Sequence, residues 1–266
     1  MSTPDRTSPT IHVVLRACDV VVAVNKSPRP FDLDKRTLIK ICFRSLHAAL
    51  QAVPHTITIL GDKLSDEMQQ FFKQYQVRLI LGDYGNDESI RQSLQLALEF
   101  PDHDWVYICE DDYLHQENSF LEIATLIKER EVIRVGRRKH MLTRQLKYTY
   151  PDMVIFPPDY PDRYRVTTND RYYIFHTSSL HWRQVFNTTF TMMAEVKTIR
   201  KHRQLLIKSS EHANDGYLSR QMFGRDDFSN KCICLSPMPG LTAHMHHDTL
   251  TPLNDWKRLV EKYGAQ

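Results

Sequence analysis

Three carboxylates stand side by side at Glu110, Asp111 and Asp112, directly after an apolar run from Trp105 to Cys109. Adjacent carboxylates repel one another at neutral pH, and such a cluster is tolerated when a divalent cation with a taste for hard oxygen ligands sits among them. The chemistry this suggests is Mg²⁺ or Mn²⁺ holding a phosphate. A plainer reading is a solvated acidic turn ahead of a helix opened by a capping box, Ser119-x-x-Glu122. A second reactive cluster, His244-Met245-His246-His247-Asp248, lies near the C-terminus. Histidine is the commonest metal ligand, so this cluster reads as further ligands for the same ion, as a separate zinc or hydrolase site, or as a surface loop.

The elements that must position these groups follow from the apolar pattern. A short apolar run ending in acids is how a buried parallel strand delivers side chains to the C-terminal edge of a sheet, where ligands bind. Residues 11–18, 56–60 and 77–81 read as three earlier strands of the same kind. Between them lie helices. Asp34 caps one with Leu38, Ile41, Cys42, Leu46 and Ala49 on its inner face, and Ser65 caps another with Met68, Phe71, Phe72 and Tyr75 inward. A third, entered through Gly85-Asn86-Asp87, packs through Ile90, Leu94, Ala97 and Leu98. Strand and helix in alternation predict a mostly parallel, doubly wound α/β sheet with right-handed crossovers.

The second half changes character. Residues 150–165 carry four prolines around a short strand at 153–156, and residues 167–182 and 185–193 are rich in Thr, Tyr, Phe and Ile, which predicts an antiparallel pair. Helices at 195–208 and 214–223, a strand at 231–235, a proline-rich loop at 237–240 and a C-terminal helix through Trp256, Leu259, Val260 and Tyr263 complete the reading. No linker separates two domains. The expectation is a disordered leader over residues 1–10 and one domain over 11–266, with a ligand-binding half to residue 116 and an irregular α+β half beyond it.

With 266 residues and 41% hydrophobic content, the chain can bury a full core. Its longest apolar region, residues 11–24, is broken by His12, Arg16 and Asp19 and is too short to span a membrane. The N-terminus lacks the charged-then-apolar order of a signal peptide. The five cysteines, Cys18, Cys42, Cys109, Cys232 and Cys234, form no C-x-x-C pair and sit mostly in apolar runs. They read as reduced, buried thiols, which argues against zinc ligation by cysteine and for a cytoplasmic protein. The net charge of +3 is spread unevenly, with basic clusters at residues 128–147 and 197–208. Such clusters can meet phosphates, anionic lipid or an acidic acceptor, though the second fits a solvated helix face. No nucleic-acid module is recognisable.

Taken in order, these features resemble the GT-A class of nucleotide-sugar glycosyltransferases. Glu110-Asp111-Asp112 looks like that class's DXD motif with Glu in first place, and the Gly85-Asn86 turn resembles its glycine loop. The segment Glu211-His212-Ala213-Asn214-Asp215-Gly216 opens a late helix much as the class's xED motif does. The resemblance covers roughly residues 11–248. It implies a GT-A-like, Rossmann-type sheet, a UDP- or GDP-linked sugar donor and a glycan or other hydroxyl acceptor. It also implies Mn²⁺ or Mg²⁺ held by Asp112 first, with Glu110 or Asp111 acting directly or through water, and by His244, with His246 as second choice. Asp62 falls where such enzymes hold the donor's base or ribose, Gly85 and Arg91 near the donor phosphates. Asp215 falls in the slot of the catalytic base, with Glu211 in reserve.

Asp215 or Asn214 could equally serve only as a helix cap. His181-Trp182-Arg183 reads as an acceptor platform or as a buried strand end. Two competing readings stand beside the transferase. A sugar-phosphate nucleotidyltransferase wants a glycine-rich signature with a Lys or Arg after the first strand, and here Arg16 is present without the glycines. A non-catalytic carbohydrate-binding or partner-binding protein would keep the fold and lose the chemistry.

Overall fold

The structure, a computed structural model, describes residues 9–20, 29–133, 135–138, 146–149, 152–165, 173–223, 232–251 and 253–265. Strands β1 (Ile11–Ala17), β2 (His55–Asp62), β3 (Arg78–Gly82) and β4 (Trp105–Glu110) alternate with helices α1 (Lys35–Leu50), α2 (Asp66–Lys73) and α3 (Gly85–Ala97). Then come β5 (Tyr113–His115), α4 (Ser119–Lys128), β6 (Val135–Arg138), β7 (Leu146–Thr149), β8 (Asp152–Ile155) and α5 (Asp162–Arg165). The remainder is β9 (Ile174–His176), β10 (His181–Val185), β11 (Met192–Glu195), α6 (Val196–Lys201), α7 (Arg203–Ser209), α8 (Asp215–Met222), β12 (Cys232–Met238), β13 (Thr242–His244) and α9 (Trp256–Gly264).

Among the described residues, nine strands form one sheet in the order β3-β2-β1-β4-β11-β8-β12-β10-β9. β10 and β11 oppose the direction of the other seven, so the sheet is mostly parallel, as the alternating pattern predicts. Successive side chains on a strand face opposite sides. Val13, Leu15, Ile57 and Tyr107 accordingly meet Phe43, Met68, Phe72 and Phe120 of α1, α2 and α4 in one core layer. Val14, Leu60, Val106 and Ile108 meet Ile90, Leu94, Ile199, Leu206 and Leu218 of α3, α6, α7 and α8 in the other. A third cluster locks α9 onto α1 through Leu38, Ile41, Trp256, Leu259 and Tyr263.

Local signals hold where the sequence is self-sufficient. Asp34 accepts from the amides of Arg36 and Thr37, and Ser65 from Met68, as caps do. The Ser119-x-x-Glu122 box does not form. Ser119 is the first helical residue of α4, and its Oγ donates to the Gln116 and Leu241 carbonyls, because the residue that leads into β13 is packed against it. Other boundaries also move. The helix read over 195–208 divides at His202 into α6 and α7, and β12 runs on to Met238, through Pro237.

β9 and β10 pair antiparallel, but β9 lies inside the first of the two stretches read as partners, while β10 begins at its last two residues and runs on to Val185, the first residue of the second. From the second stretch, β11 crosses to lie between β4 and β8. Of the leader, residues 1–8 lie outside the described residues, and Thr10 is anchored by Asp104 Oδ1 and the Trp105 amide. The basic cluster at 128–147 falls partly outside the described residues as well. In the second cluster Lys197, Arg200 and Lys201 pair with Glu195, Asp102 and Asp152, the pattern of a solvated helix face. Among the described residues, no helix is long and apolar enough to cross a membrane.

Candidate active site and metal centre

β2 and β3 lie on one side of β1 and β4 on the other, so the strand order reverses between β1 and β4. Loops at such a switch point diverge and leave a crevice beyond the strand ends. A cavity of about 630 Å³ opens there, lined by Arg16 and Cys18 at the end of β1, Glu110 to Asp112 at the end of β4, the start of α3, and the segment that leads into α8. His244 and His246 reach it from the far end of the chain. They are brought there by a separate two-stranded ladder in which β13 pairs with β5, His244 lying opposite Tyr113. The Met245 amide donates to the Asp112 carbonyl at 2.9 Å and ties the turn after β4 to the histidine segment.

Asp112 Oδ2 lies 3.4 Å from Nε2 of both His244 and His246. The other carboxylate oxygen, Oδ1, is buried and has no hydrogen-bond partner. A carboxylate with one oxygen facing two imidazole nitrogens and the other buried without a partner is a donor set that could hold a divalent cation. His244 is held for this task from behind. Its ring stacks on Tyr113 at 4.6 Å and its Nδ1 faces the Tyr160 hydroxyl at 3.4 Å, which leaves Nε2 aimed at Asp112.

Electrostatics reflect the same convergence. Burial would raise the Asp112 carboxyl, but His244, His246 and Lys35 outweigh it and hold the group well below the usual carboxylate range. Burial pulls the His244 imidazole down, yet the Asp112 charge and hydrogen bond, with help from Glu110, bring it above its ordinary value.

The other two acids of the triplet go elsewhere. Asp111 Oδ1 accepts from Lys35 Nζ at 2.5 Å and Oδ2 from the Cys18 amide at 2.8 Å, so one oxygen ties down the start of α1 and the other the loop after β1. Glu110 Oε2 accepts from Thr191 Oγ1 at 3.1 Å, while Oε1 sits 3.5 Å from Arg16 Nη1. Neither joins the group formed by Asp112 and the histidines. One carboxylate of three therefore faces the imidazoles, the second is structural, and the third partners a guanidinium.

That guanidinium enters the sequence reading only as the basic residue a nucleotidyltransferase wants, not as a residue of the transferase site. Arg16 is 8% exposed, its Nε donating to Ser89 Oγ at 3.2 Å and its Nη2 to Asn86 Oδ1 at 2.6 Å, both from α3. Nη1 is buried with no hydrogen-bond partner beside the cavity. A fixed, buried donor with an unused N–H is suited to an anionic oxygen. Its sequence signal is a lone arginine at the C-terminal end of an otherwise apolar strand. Arg91, the phosphate ligand expected from the glycine-loop resemblance, instead pairs with Glu88 one turn earlier and does not line the cavity.

If the cavity takes a nucleoside diphosphate, replacing Arg16 with glutamine is expected to remove one or two charge-assisted hydrogen bonds to phosphate and to weaken UDP binding roughly 10- to 100-fold. Uridine, which has no phosphate, should bind as before. Calorimetry with both ligands checks this, and an equal loss for the two would take Arg16 out of phosphate recognition.

Gly85 lines the cavity in the left-handed region, at φ +70°, where an L side chain is strained. Asp62 accepts from the Tyr84 amide at 2.7 Å and from the Gly85 amide at 3.0 Å, so its carboxylate caps the entry to α3 while facing the cavity.

Asn214 and Asp215 separate two roles that one residue could have filled. Asn214 is the N-cap of α8, its Oδ1 accepting from the Tyr217 amide at 2.9 Å. Asp215, the first helical residue, is free of that duty and lines the cavity. Burial first, and then the like charge of Glu110, push its carboxyl up to about 7 against the opposing pull of Arg16 and His244. A carboxyl poised near neutrality in a cleft is suited to proton transfer.

The turn that delivers it is strained, with His212 at φ 58° and Ala213 at φ 43°, and the His212 amide donates to Asp87 Oδ2 at 2.7 Å. Glu211 opens that turn, exposed and outside the cavity lining. The acceptor-platform reading of His181-Trp182-Arg183 does not hold, because Trp182 is fully buried and Arg183 is bound to Asp159. His247 is exposed beside Asp248 and turned from the Asp112 group.

No protein-family model and no curated protein sequence matches this chain. Solved structures do. S. aureus TarS aligns at 9% identity and a TM-score of 0.47, over 85% of this chain and 35% of that one, so this chain spans about a third of the TarS length. 4-Diphosphocytidyl-2C-methyl-D-erythritol synthase aligns at 9% identity and a TM-score of 0.44, over 98% of this chain and 100% of that one. The galactosyltransferase LgtC in complex with donor and acceptor sugar analogs aligns at 10% identity and a TM-score of 0.44, over 96% of this chain and 95% of that one.

Proposed function

We propose that this chain is a metal-dependent glycosyltransferase that moves a sugar from a UDP- or GDP-linked donor to an acceptor hydroxyl with inversion. The observation that carries the reading is that one cavity gathers a cation-type donor set at Asp112, His244 and His246, a buried guanidinium at Arg16, and a carboxyl poised near pH 7 at Asp215. Each answers one demand of the chemistry. Departure of a nucleoside diphosphate builds up negative charge, and a divalent cation, Mn²⁺ before Mg²⁺ because two of the three donors are imidazoles, supplies neutralisation when bound. Arg16 orients a phosphate oxygen through its unused N–H. Asp215 takes the proton of the acceptor hydroxyl as the new C–O bond forms, since an alcohol is a poor nucleophile while protonated.

A sugar-phosphate nucleotidyltransferase is the second reading, favoured by the placement of Arg16 at the C-terminal end of β1 and inside the cavity. The two differ in what leaves: a nucleoside diphosphate in one, pyrophosphate in the other. The deciding experiment incubates the protein and Mn²⁺ with a panel of UDP- and GDP-sugars, and separately with nucleoside triphosphates plus sugar phosphates. Slow Mn²⁺-dependent release of UDP or GDP from one donor is expected. Pyrophosphate release instead would select the nucleotidyltransferase, and silence across both panels would select a non-catalytic binder.

A further inference from the structure

A second group of ligand-type side chains lies at the other end of the sheet. Asp152 opens β8 and Cys232 opens β12, and the two are direct partners in the parallel register. Two residues further on, Val154 and Cys234 lie in the core layer beneath α6 to α8. With period-two alternation, Asp152 and Cys232 face that layer too. His202 comes down onto them from the break between α6 and α7, where its backbone leaves the helical region at φ −103°, ψ 13°. Its ring is nearly buried, with Nε2 3.6 Å from Asp152 Oδ2. One nitrogen, one sulfur and one oxygen donor from three elements lie within 4.8 Å of one another.

We propose that Asp152, His202 and Cys232 form a divalent transition-metal site, with Zn²⁺ as its natural occupant and water in the fourth position. The ligand types decide the metal. A thiolate with an imidazole suits a borderline-soft ion, whereas the oxygen and imidazole set in the cavity is harder. Ligand atoms around tetrahedral zinc stand roughly 3.3 to 3.8 Å apart, as Zn–S and Zn–N bonds of about 2.3 and 2.0 Å require. Side-chain movements of about 1 Å close the present cluster to that size.

The place already attracts a cation. Lys201 Nζ lies 2.5 Å from Asp152 Oδ2, and its side chain is 61% exposed, so the ammonium can withdraw into water as the ion arrives. The thiol gives up its proton on binding. The site would join the α6–α7 break to the first residues of β8 and β12. It does not depend on the activity proposed for the cavity.

The test uses the full chain, reduced and freed of metal by chelation, titrated with Co²⁺. Thiolate-to-cobalt charge transfer gives a near-ultraviolet band that carboxylate and imidazole ligands cannot produce. The band is expected in the native protein and in Asp112→Asn, to be bleached by Zn²⁺, and to vanish in Cys232→Ser. Because Cys232 is buried, Asp152→Asn at the strand end provides a second variant that keeps the thiol, and its Co²⁺ affinity should fall roughly 10-fold or more. No band in the native protein, or an undiminished band in Cys232→Ser, would overturn the site. So would native affinity in Asp152→Asn, or a band lost in Asp112→Asn, which would assign the thiolate to Cys18 in the cavity.

Discussion

Asp215→Asn lowers turnover by roughly 10² to 10⁴-fold while metal–nucleotide affinity stays near that of the native protein. A base acts on the transfer step and contributes little to donor binding, so the loss belongs in kcat. Helix α8 is not at risk in this variant, because Asn214 carries the cap. The pH behaviour has a definite sign. The Asp215 carboxyl is raised from 3.8 to about 7, so the folded protein holds its proton at pH values where the unfolded chain has released it. The stability this group contributes is fully present below about pH 4 and is lost as pH climbs through 7. Above 7 the native protein carries a buried charge that asparagine lacks, and Asp215→Asn should melt at a slightly higher temperature there. Activity runs the other way, rising as the base ionises, with an inflection that moves below 7 when a bound cation favours the carboxylate. Steady-state rates against pH, together with thermal melts at pH 5 and pH 8, measure both. Wild-type turnover in Asp215→Asn would move the search to Glu211, and activity in both single variants would favour a retaining mechanism over the inverting one.

Asp112→Asn removes metal binding, by at least about 10²-fold, since partners one shell further out are already worth about 10- to 10²-fold. Its carboxylate supplies the oxygen between two imidazoles and also the orphaned Oδ1. Asparagine offers one neutral oxygen in place of a charge, and its amide nitrogen repels a cation. Calorimetry with Mn²⁺ in the presence of UDP reads the loss directly. In the native protein the same titration strengthens with pH, because His244 must shed a proton that Asp112 helps it keep, and the dependence extends above the ordinary imidazole range. His244→Ala should cost more than His246→Ala, since stacked and hydrogen-bonded support is built around His244. Native Mn²⁺ affinity in Asp112→Asn would end the assignment of this cluster as the cation site.

The parallel half of the sheet was legible because strands buried on both faces are written as continuous apolar runs, and because Asp34 and Ser65 cap their helices through local bonds alone. Asp112, His244 and His246 could be anticipated by residue type. What could not be read was the division of labour inside the acid triplet. Whether Asp111 meets a cation or Lys35 depends on where α1 lies, and whether Glu110 joins the histidines depends on Arg16. The same holds for Arg16 itself, which looks like an interruption of an apolar strand until Asn86 and Ser89 of α3 are brought over it. Ser119 failed as a cap for a like reason, its hydroxyl being taken by a carbonyl 122 positions away. The order β4-β11-β8-β12-β10 rests on pairings between distant segments, for which local pattern holds no signal.

The position of β11 has a consequence for any attempt to make the first half alone. β4 is an interior strand because Met192 to Glu195 pair with Ile108 to Trp105 along its second edge. A fragment ending near residue 116 would leave that edge bare: a row of unpaired amides and carbonyls on Trp105-Val106-Tyr107-Ile108, with no charged or proline residue to blunt it. Such a fragment would recruit the nearest free strand, most readily from another copy of itself, and precipitate before its ligand-binding properties could be measured.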